Sequence, residues 1–214
     1  MIIKASDKTR STTWLAILII SFVAIWTNSI IGTTDTANWL IENTLTAISL
    51  LFLITTYTKY KFSTFSYLLI CIFLCMHVYG SKYTYSENPF GYWLQDMFNS
   101  PRNQYDRLVH FSFGILLFYP MQECFAKWLK YPKTIALFLP ITIILSVSAI
   151  YEIIEWLVAD MFFVEEGDAY LGTQGDIWDA QKDMALAFLG SCIATLFFIF
   201  STYLNIGVKY RRSE

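Results

Sequence analysis

The sequence predicts an all-α polytopic membrane protein, a single domain over residues 1–214 with six transmembrane helices and both termini in the cytoplasm. Three observations lead there. First, 56% of the 214 residues are hydrophobic and only 15% are charged, against roughly 25% charged in an ordinary soluble domain, and mean hydropathy is positive at +0.46. Second, six stretches are apolar over close to the ~20 residues needed to cross the hydrocarbon core. Third, the basic residues alternate from one connection to the next. A soluble helical bundle is excluded because too few polar stripes exist to make a wet outer surface.

Taken in order, the spans are Trp14–Ile31, Trp39–Tyr57, Phe65–Tyr79, Leu108–Ala126, Thr134–Ala159 and Met184–Leu204. The first follows Lys4, Lys8 and Arg10 but shows no small-residue cleavage pattern, so it reads as a retained helix and not a signal peptide. The third is short and can borrow Ser63 and Gly80 at its ends. Pro120 and Pro140 are expected to kink the fourth and fifth spans near their inner sides. Helices are the economical solution because each satisfies its own backbone hydrogen bonds in lipid.

Orientation follows from the basic residues. The N-terminal tail (Lys4, Lys8, Arg10), Lys59 and Lys61, the Lys127–Lys133 stretch and the C-terminal tail (Lys209, Arg211, Arg212) hold eleven of them. The alternate connections hold four, Lys82, Arg102, Arg107 and Lys182. The positive-inside rule then places both termini in the cytoplasm and sends two longer connections outward. One, 80–107, carries Tyr83, Tyr85, Phe90, Tyr92, Trp93 and Phe98 and is expected to lie along the headgroups or fold over the bundle. The other, 160–183, is acidic: nine of the seventeen acidic residues fall between Glu152 and Asp183.

Ionisable residues inside a bilayer are costly and normally face the bundle interior or a wet cavity. Here they share one depth, near the outer ends of the spans: Glu42, His77, the Asp106–Arg107–His110 group, Glu152 with Glu155, and Asp176, Asp179 and Asp183. Asp106 and His110 are i,i+4 and Glu152 and Glu155 are i,i+3, so each pair shares a helix face. Asp176, Asp179 and Asp183 form one stripe if the last helix begins before Asp176. Gly172 and Gly175 suit a tight turn there, with Thr173 as its N-cap. Gly114 extends the Asp106–His110 track with a small residue where another helix can approach.

These groups predict an outward-facing cavity. The candidates for catalysis are Asp106, Arg107, His110 and Glu155. The candidates for a metal are His110, Glu152, Glu155, Asp176, Asp179 and Asp183. Carboxylates this close must hold protons, pair with Arg107 or Lys182, or bind a cation. An imidazole with carboxylates suits a divalent Zn, Mn or Fe ion, and oxygens alone suit Mg or Ca. A metal-free hydrogen-bonded network and a proton or ion path stay open as alternatives, and His77 by itself reads as a core histidine.

Elsewhere the readings are plainer. Glu123 and Lys127 form an i,i+4 pair expected to be a solvated surface pair. Cys71, Cys75, Cys124 and Cys192 lie within spans and read as small buried hydrophobes. Trp14, Trp39, Trp128 and Trp156 lie near span ends and read as interface anchors. No phosphate-cradling glycine loop or basic stripe for nucleic acid is present.

The polar blocks carry a resemblance. Residues 103–111, Ser148–Trp156 and Tyr170–Met184 closely resemble the signature blocks of the YjdF-like bacterial inner-membrane proteins. That resemblance implies a multi-pass location in the bacterial inner membrane and brings no reaction with it. A weaker likeness links the chain to the VanZ-like membrane proteins, some associated with glycopeptide resistance. Asp106, Arg107 and His110 match their Asp-Lys and histidine with arginine in place of lysine. Glu152 and Glu155 match a Glu-x-x-Gln, and Asp179, Asp183 and Gly190 match a later Asp, Asn and Gly. The replacements at Glu155 and Asp183 add negative charge, which favours a cation and counts against a shared mechanism.

Three functions fit. The first is a membrane enzyme acting on a lipid-linked or envelope substrate. It would use a carboxylate–histidine centre in which a metal polarises a phosphoryl or acyl group, His110 or Glu155 exchanges protons, and Arg107 holds a phosphate. The second is a small ion-coupled transporter, which the sparsely polar inner half and the lack of inverted repeats disfavour. The third is a non-catalytic envelope stress or antibiotic-tolerance factor. The lipid bilayer is the partner common to all three.

Overall fold

A computed structural model of the chain describes residues 2–33, 35–162, 167 and 171–211, with side chains described between residues 12 and 204. Residues 163–166 and 168–170 of the acidic connection lie outside the described residues, as do Arg212 and the side chains of the basic residues in both tails. The described elements are α1 (Ile2–Ile30), α2 (Thr36–Thr56), α3 (Thr64–Ser81), α4 (Pro89–Met97), α5 (Tyr105–Glu123), α6 (Lys133–Phe162) and α7 (Asp179–Arg211). A π-helical turn, Cys124–Trp128, continues α5.

Local chemistry starts several of these helices. Asp35 accepts from the Asn38 N–H at 2.9 Å to cap α2, and Ser63 accepts from the Ser66 N–H at 3.2 Å to cap α3. Asn88 caps α4 with Pro89 in its first turn, where a missing N–H costs nothing. Pro140 lies within an α6 that runs as one helix through it. Beyond Pro120, α5 gives way to the π-helical turn.

Among the described residues, five helices are long and apolar enough to cross a membrane: α1 from Thr12, α2, α3, α6, and α7 as far as Leu204. Large apolar residues such as Ile20, Leu51, Ile54, Phe162 and Phe197 are exposed along them, as lipid-facing surfaces require. The remaining expected span, the fourth in chain order, falls on α5, where Asp106, Arg107, His110, Gln122 and Glu123 dilute the hydropathy. α5 is instead the hub of the bundle, packing most extensively on α7 and also against α3, α4 and α6.

Packing around α5 positions the site. Phe22, Phe73, Leu74, Val78, Tyr105 and Val109 form one buried cluster, and Phe118, Ile144 and Ala187 form a second. Lipid tails are as apolar as leucine, so close packing, more than water exclusion, holds such helices together. Gly114 and Gly190 permit the closest approach. A Cβ on Gly114 would lie 2.0 Å from the Ala187 carbonyl oxygen, and one on Gly190 would lie 2.3 Å from the Phe111 carbonyl oxygen. The small-residue track expected at Gly114 is therefore a reciprocal crossing of α5 on α7.

Four expectations are corrected. The last helix begins at Asp179, after a turn in which Gly172, Gln174 and Gly175 have φ of 62°, 51° and 82°. These left-handed values cannot continue a helix, so Thr173 is not its N-cap and Asp176 stands outside the stripe of Asp179 and Asp183. Trp39 is buried, donating from Nε1 to Ser29 Oγ at 2.9 Å, and is no interface anchor. Glu123 is 2% exposed and is not a solvated pair. It accepts from the Ser63 N–H, from the Ser63 hydroxyl at 2.8 Å, from the Ser66 hydroxyl and from Lys127 at 2.7 Å. It thus places a charge at the start of α3, where the helix dipole favours an anion. The aromatic connection contains α4, which turns Gly91 and Leu94 inward and leaves Phe90, Trp93 and Met97 exposed.

Candidate metal site

Three helices assemble the site. Asp106 and His110 lie one turn apart on α5, and His110 Nε2 is 3.6 Å from Asp106 Oδ1 and 3.3 Å from Glu152 Oε1 on α6. α7 supplies Asp183. One donor atom each from Asp106, His110 and Asp183 fall within 4.8 Å of one another. His110 Nδ1 faces the Ser148 hydroxyl at 3.4 Å, which orients the ring and leaves Nε2 to the carboxylates.

Asp183 is 2% exposed, and its Oδ1 has no hydrogen-bond partner among the described residues. A buried carboxylate oxygen without a donor is costly, and a cation removes that cost. With ligand distances of about 2.1 Å, a tetrahedral sphere sets its donor atoms ~3.4 Å apart. The three groups, within 4.8 Å of one another, therefore have to draw together, by up to about 1.4 Å for a pair at that limit, to share one ion.

A second polar cluster adjoins the first. Tyr151 on α6 donates to Glu42 Oε2 on α2 at 2.9 Å. His77 Nε2 is 3.1 Å from the Glu42 carbonyl oxygen, an acceptor only, so the Nε2 must carry the hydrogen. Nδ1 is then the acceptor for the Tyr85 hydroxyl. Burial pushes the Tyr85 phenol well above its ordinary value and keeps it a donor. His77 is thus a satisfied core histidine, as its sequence context suggested. Glu155, nearly one turn beyond Glu152, lies within electrostatic range of Glu42, Glu152 and Asp106.

Between the clusters is a cavity of about 50 Å³ lined by His77, Tyr85, Asp106, His110, Ser148 and Tyr151. A water needs roughly 10–15 Å³ of such space, so a few waters or a partly hydrated ion fit. An organic ligand of ordinary size, occupying roughly 300–1,000 Å³, does not.

His110 and Asp183 are buried, which corrects the expected outward-facing site. Arg102, 4% exposed, is ion-paired with Asp179 and donates from Nη2 to the Gly172 carbonyl at 3.3 Å. The Asn103 N–H donates to Gln174 Oε1 at 2.8 Å. These contacts clamp the turn before α7 onto the segment before α5. Arg107 pairs with Asp176 and, at 3.4 Å, with Asp179, while Lys182 is 2.6 Å from Asp176. Lys182, then the Trp178 N–H and Arg107, hold the Asp176 carboxyl down to about 2. The acids are thereby sorted: Asp176 and Asp179 face basic side chains, whereas Asp106, Asp183 and Glu152 face the imidazole.

Sequence reasoning passed over Arg102, Tyr85, Ser148 and Tyr151. The last two had a usable signal, since Ser148, Tyr151, Glu152 and Glu155 fall at 0, +3, +4 and +7 on one helical face. Arg102 and Tyr85 come from turns, where no periodicity marks the inward side.

Comparison with known proteins agrees with this architecture. Residues 14–203 match the family model described as "Predicted membrane protein (DUF2238)". The chain is 34% identical over 182 residues to "Inner membrane protein YjdF" of Escherichia coli (strain K12), covering 84% of this chain and 85% of that protein. No solved structure matches. The chain is a multi-pass protein of the bacterial inner membrane, and it belongs to the DUF2238 family of predicted membrane proteins.

Proposed function

We propose that this protein is a six-span membrane protein with both termini cytoplasmic, holding a divalent metal ion near the outer ends of α5, α6 and α7. The reading rests on one observation, the buried grouping of Asp106, His110 and Asp183 around an unpartnered carboxylate oxygen. Glu152 is the fourth donor, 3.3 Å from the imidazole. Asp176 and Asp179 hold the roof through Arg107, Lys182 and Arg102 and are not ligands.

The course of α5 supports its role as a sixth span. Its start reaches the end of α3, where the Tyr105 hydroxyl donates to the Met76 carbonyl at 2.8 Å. Its last residue, Glu123, reaches the start of α3 at Ser63 and Ser66. Its 19 residues give about 28 Å of helix, comparable with the hydrocarbon core. With the excess of basic residues inside, the 80–107 and 160–183 connections then lie on the outer side.

The reading continues to an activity on a lipid-linked or envelope substrate, which requires the Arg102–Asp179 clamp to open, since the cavity of about 50 Å³ does not hold an organic ligand as it stands. A divalent ion supplies polarisation of a phosphoryl or acyl oxygen. With His110 committed to the metal, Glu155 is left to exchange protons, and Arg107 stands at the mouth. Transport fits less well, because Phe113, Phe118 and Ile144 form an apolar layer on the inner side of the cavity. The likeness to the VanZ-like pattern bears on architecture more than reaction, since Gly190 serves the helix crossing and Glu155 and Asp183 add charge.

The test is elemental analysis of the purified protein and of the His110→Ala and Asp183→Asn variants. About one divalent metal per chain is expected in the parent and a small fraction of that in each variant. A folded parent that takes up no metal under saturating Zn or Mn would overturn the reading.

A further inference from the structure

We infer that a groove between α4, α5 and α7 binds an anionic phospholipid of the surrounding bilayer. The groove measures about 760 Å³ and has a polar and an apolar end. Arg107 and Lys182 stand at the first turns of α5 and α7. Leu108 and Phe111 then follow on α5, and Leu186 and Leu189 on α7. Seven residues from Lys182 to Leu189 make about 10 Å of helix, the direction an acyl chain takes below its headgroup. Phe98, at the end of α4, forms part of the rim and is exposed.

Charge complementarity selects the headgroup. The two charged residues that line the groove, Arg107 and Lys182, are both cations, and no acid is among its described lining residues, although both cations also pair with Asp176 beside it. The Arg107 Nε is buried without a partner among the described residues, and the Lys182 side chain is half exposed. A phosphate diester offers oxygens to both cations, and guanidinium is suited to such anions. A zwitterionic lipid brings its own cation to the same place and gains less. The inference rests on the membrane location and the groove, and is independent of the metal ion.

Native mass spectrometry from micelles containing equal phosphatidylglycerol and phosphatidylcholine tests it. The parent is expected to retain one phosphatidylglycerol with roughly fivefold or greater preference over phosphatidylcholine. Lys182→Gln and the Arg107→Gln/Lys182→Gln pair should bring that preference toward one. Leu186→Trp, which fills the groove and leaves the charges in place, should reduce lipid retention while metal content stays at the parent level. Should the double variant fail to fold, Lys182→Gln and Leu186→Trp still decide the matter. Equal retention of the two lipids by the parent, or a preference unchanged in both of those variants, would overturn the inference. Loss of metal binding with lipid preference intact would instead strike the metal reading alone.

Discussion

Gly114→Ala is predicted to disable the site without touching any proposed ligand. The added Cβ would sit 2.0 Å from the Ala187 carbonyl oxygen and 2.8 Å from the Ser191 nitrogen. Ordinary non-bonded contacts sit near 3.5 Å, so α5 and α7 must separate locally by roughly 1–1.5 Å. Overpacking of this kind typically costs about 1–3 kcal/mol, and the upper end applies because the obstructing atoms belong to backbone. His110 is one turn from Gly114 on α5, while Asp183 is about two turns from Gly190 on α7. A shift near 1 Å far exceeds the ~0.2 Å tolerance of a metal–ligand distance, so metal affinity should fall at least tenfold. Gly190→Ala meets the Phe111 carbonyl at 2.3 Å and should act alike. Ala187→Gly should not rescue Gly114→Ala, because the clash is with a main-chain oxygen. Tryptophan-fluorescence melting in detergent, paired with zinc titration, measures both effects. If both alanine variants melt and load like the parent, the crossing does not set the geometry of the site.

Three further outcomes follow from particular contacts. Glu123→Gln replaces a buried anion that four donors from Ser63, Ser66 and Lys127 engage, and should destabilise the bundle by about 1.5–3 kcal/mol, read by denaturant unfolding in mixed micelles. Asp176 has its carboxyl held at about 2, below its ordinary 3.8. The unfolded chain therefore binds the proton more readily, and the stabilisation present above pH 3.8 disappears as pH falls toward 2. Asp176→Asn should flatten the stability profile across that window. Finally, ¹⁵N spectra of histidine-labelled protein should show His77 as a neutral ring protonated at Nε2, because the Glu42 carbonyl accepts there. Tyr85→Phe should shift its Nδ1 resonance.

What the sequence disclosed was governed by helical periodicity. Asp106 with His110, and Glu152 as their neighbour, were legible because charges at i,i+3 and i,i+4 in apolar helices must face inward. Gly114 was legible for the same reason. Asp183 was placed with them although the start of its helix was misjudged, since Asp179 and Asp183 keep their spacing wherever α7 begins. Asp176 fell outside the helical stripe because left-handed backbone at Gly172, Gln174 and Gly175 of one turn is not announced by composition. The burial of the site was not foreseeable either. It depends on Arg102 reaching Asp179 across 77 positions, a pairing fixed only by how the turns fold over the bundle. Glu123 misled because a good i,i+4 partner concealed the hydroxyls of α3, which approach from 57 and 60 residues away. α5 combined the two problems, with polar residues at both ends of a helix that the others surround.

In the proposed centre one divalent ion is held by the His110 imidazole together with Asp106 and Asp183. X-ray absorption at the K-edge of the zinc- or manganese-loaded protein tests this. A single imidazole is expected in the coordination sphere with otherwise oxygen ligands, near 2.0–2.2 Å for zinc, and its signature should be lost in His110→Ala. A sulfur ligand, a sphere of oxygens alone in the parent, or an imidazole signal that survives in His110→Ala would contradict it.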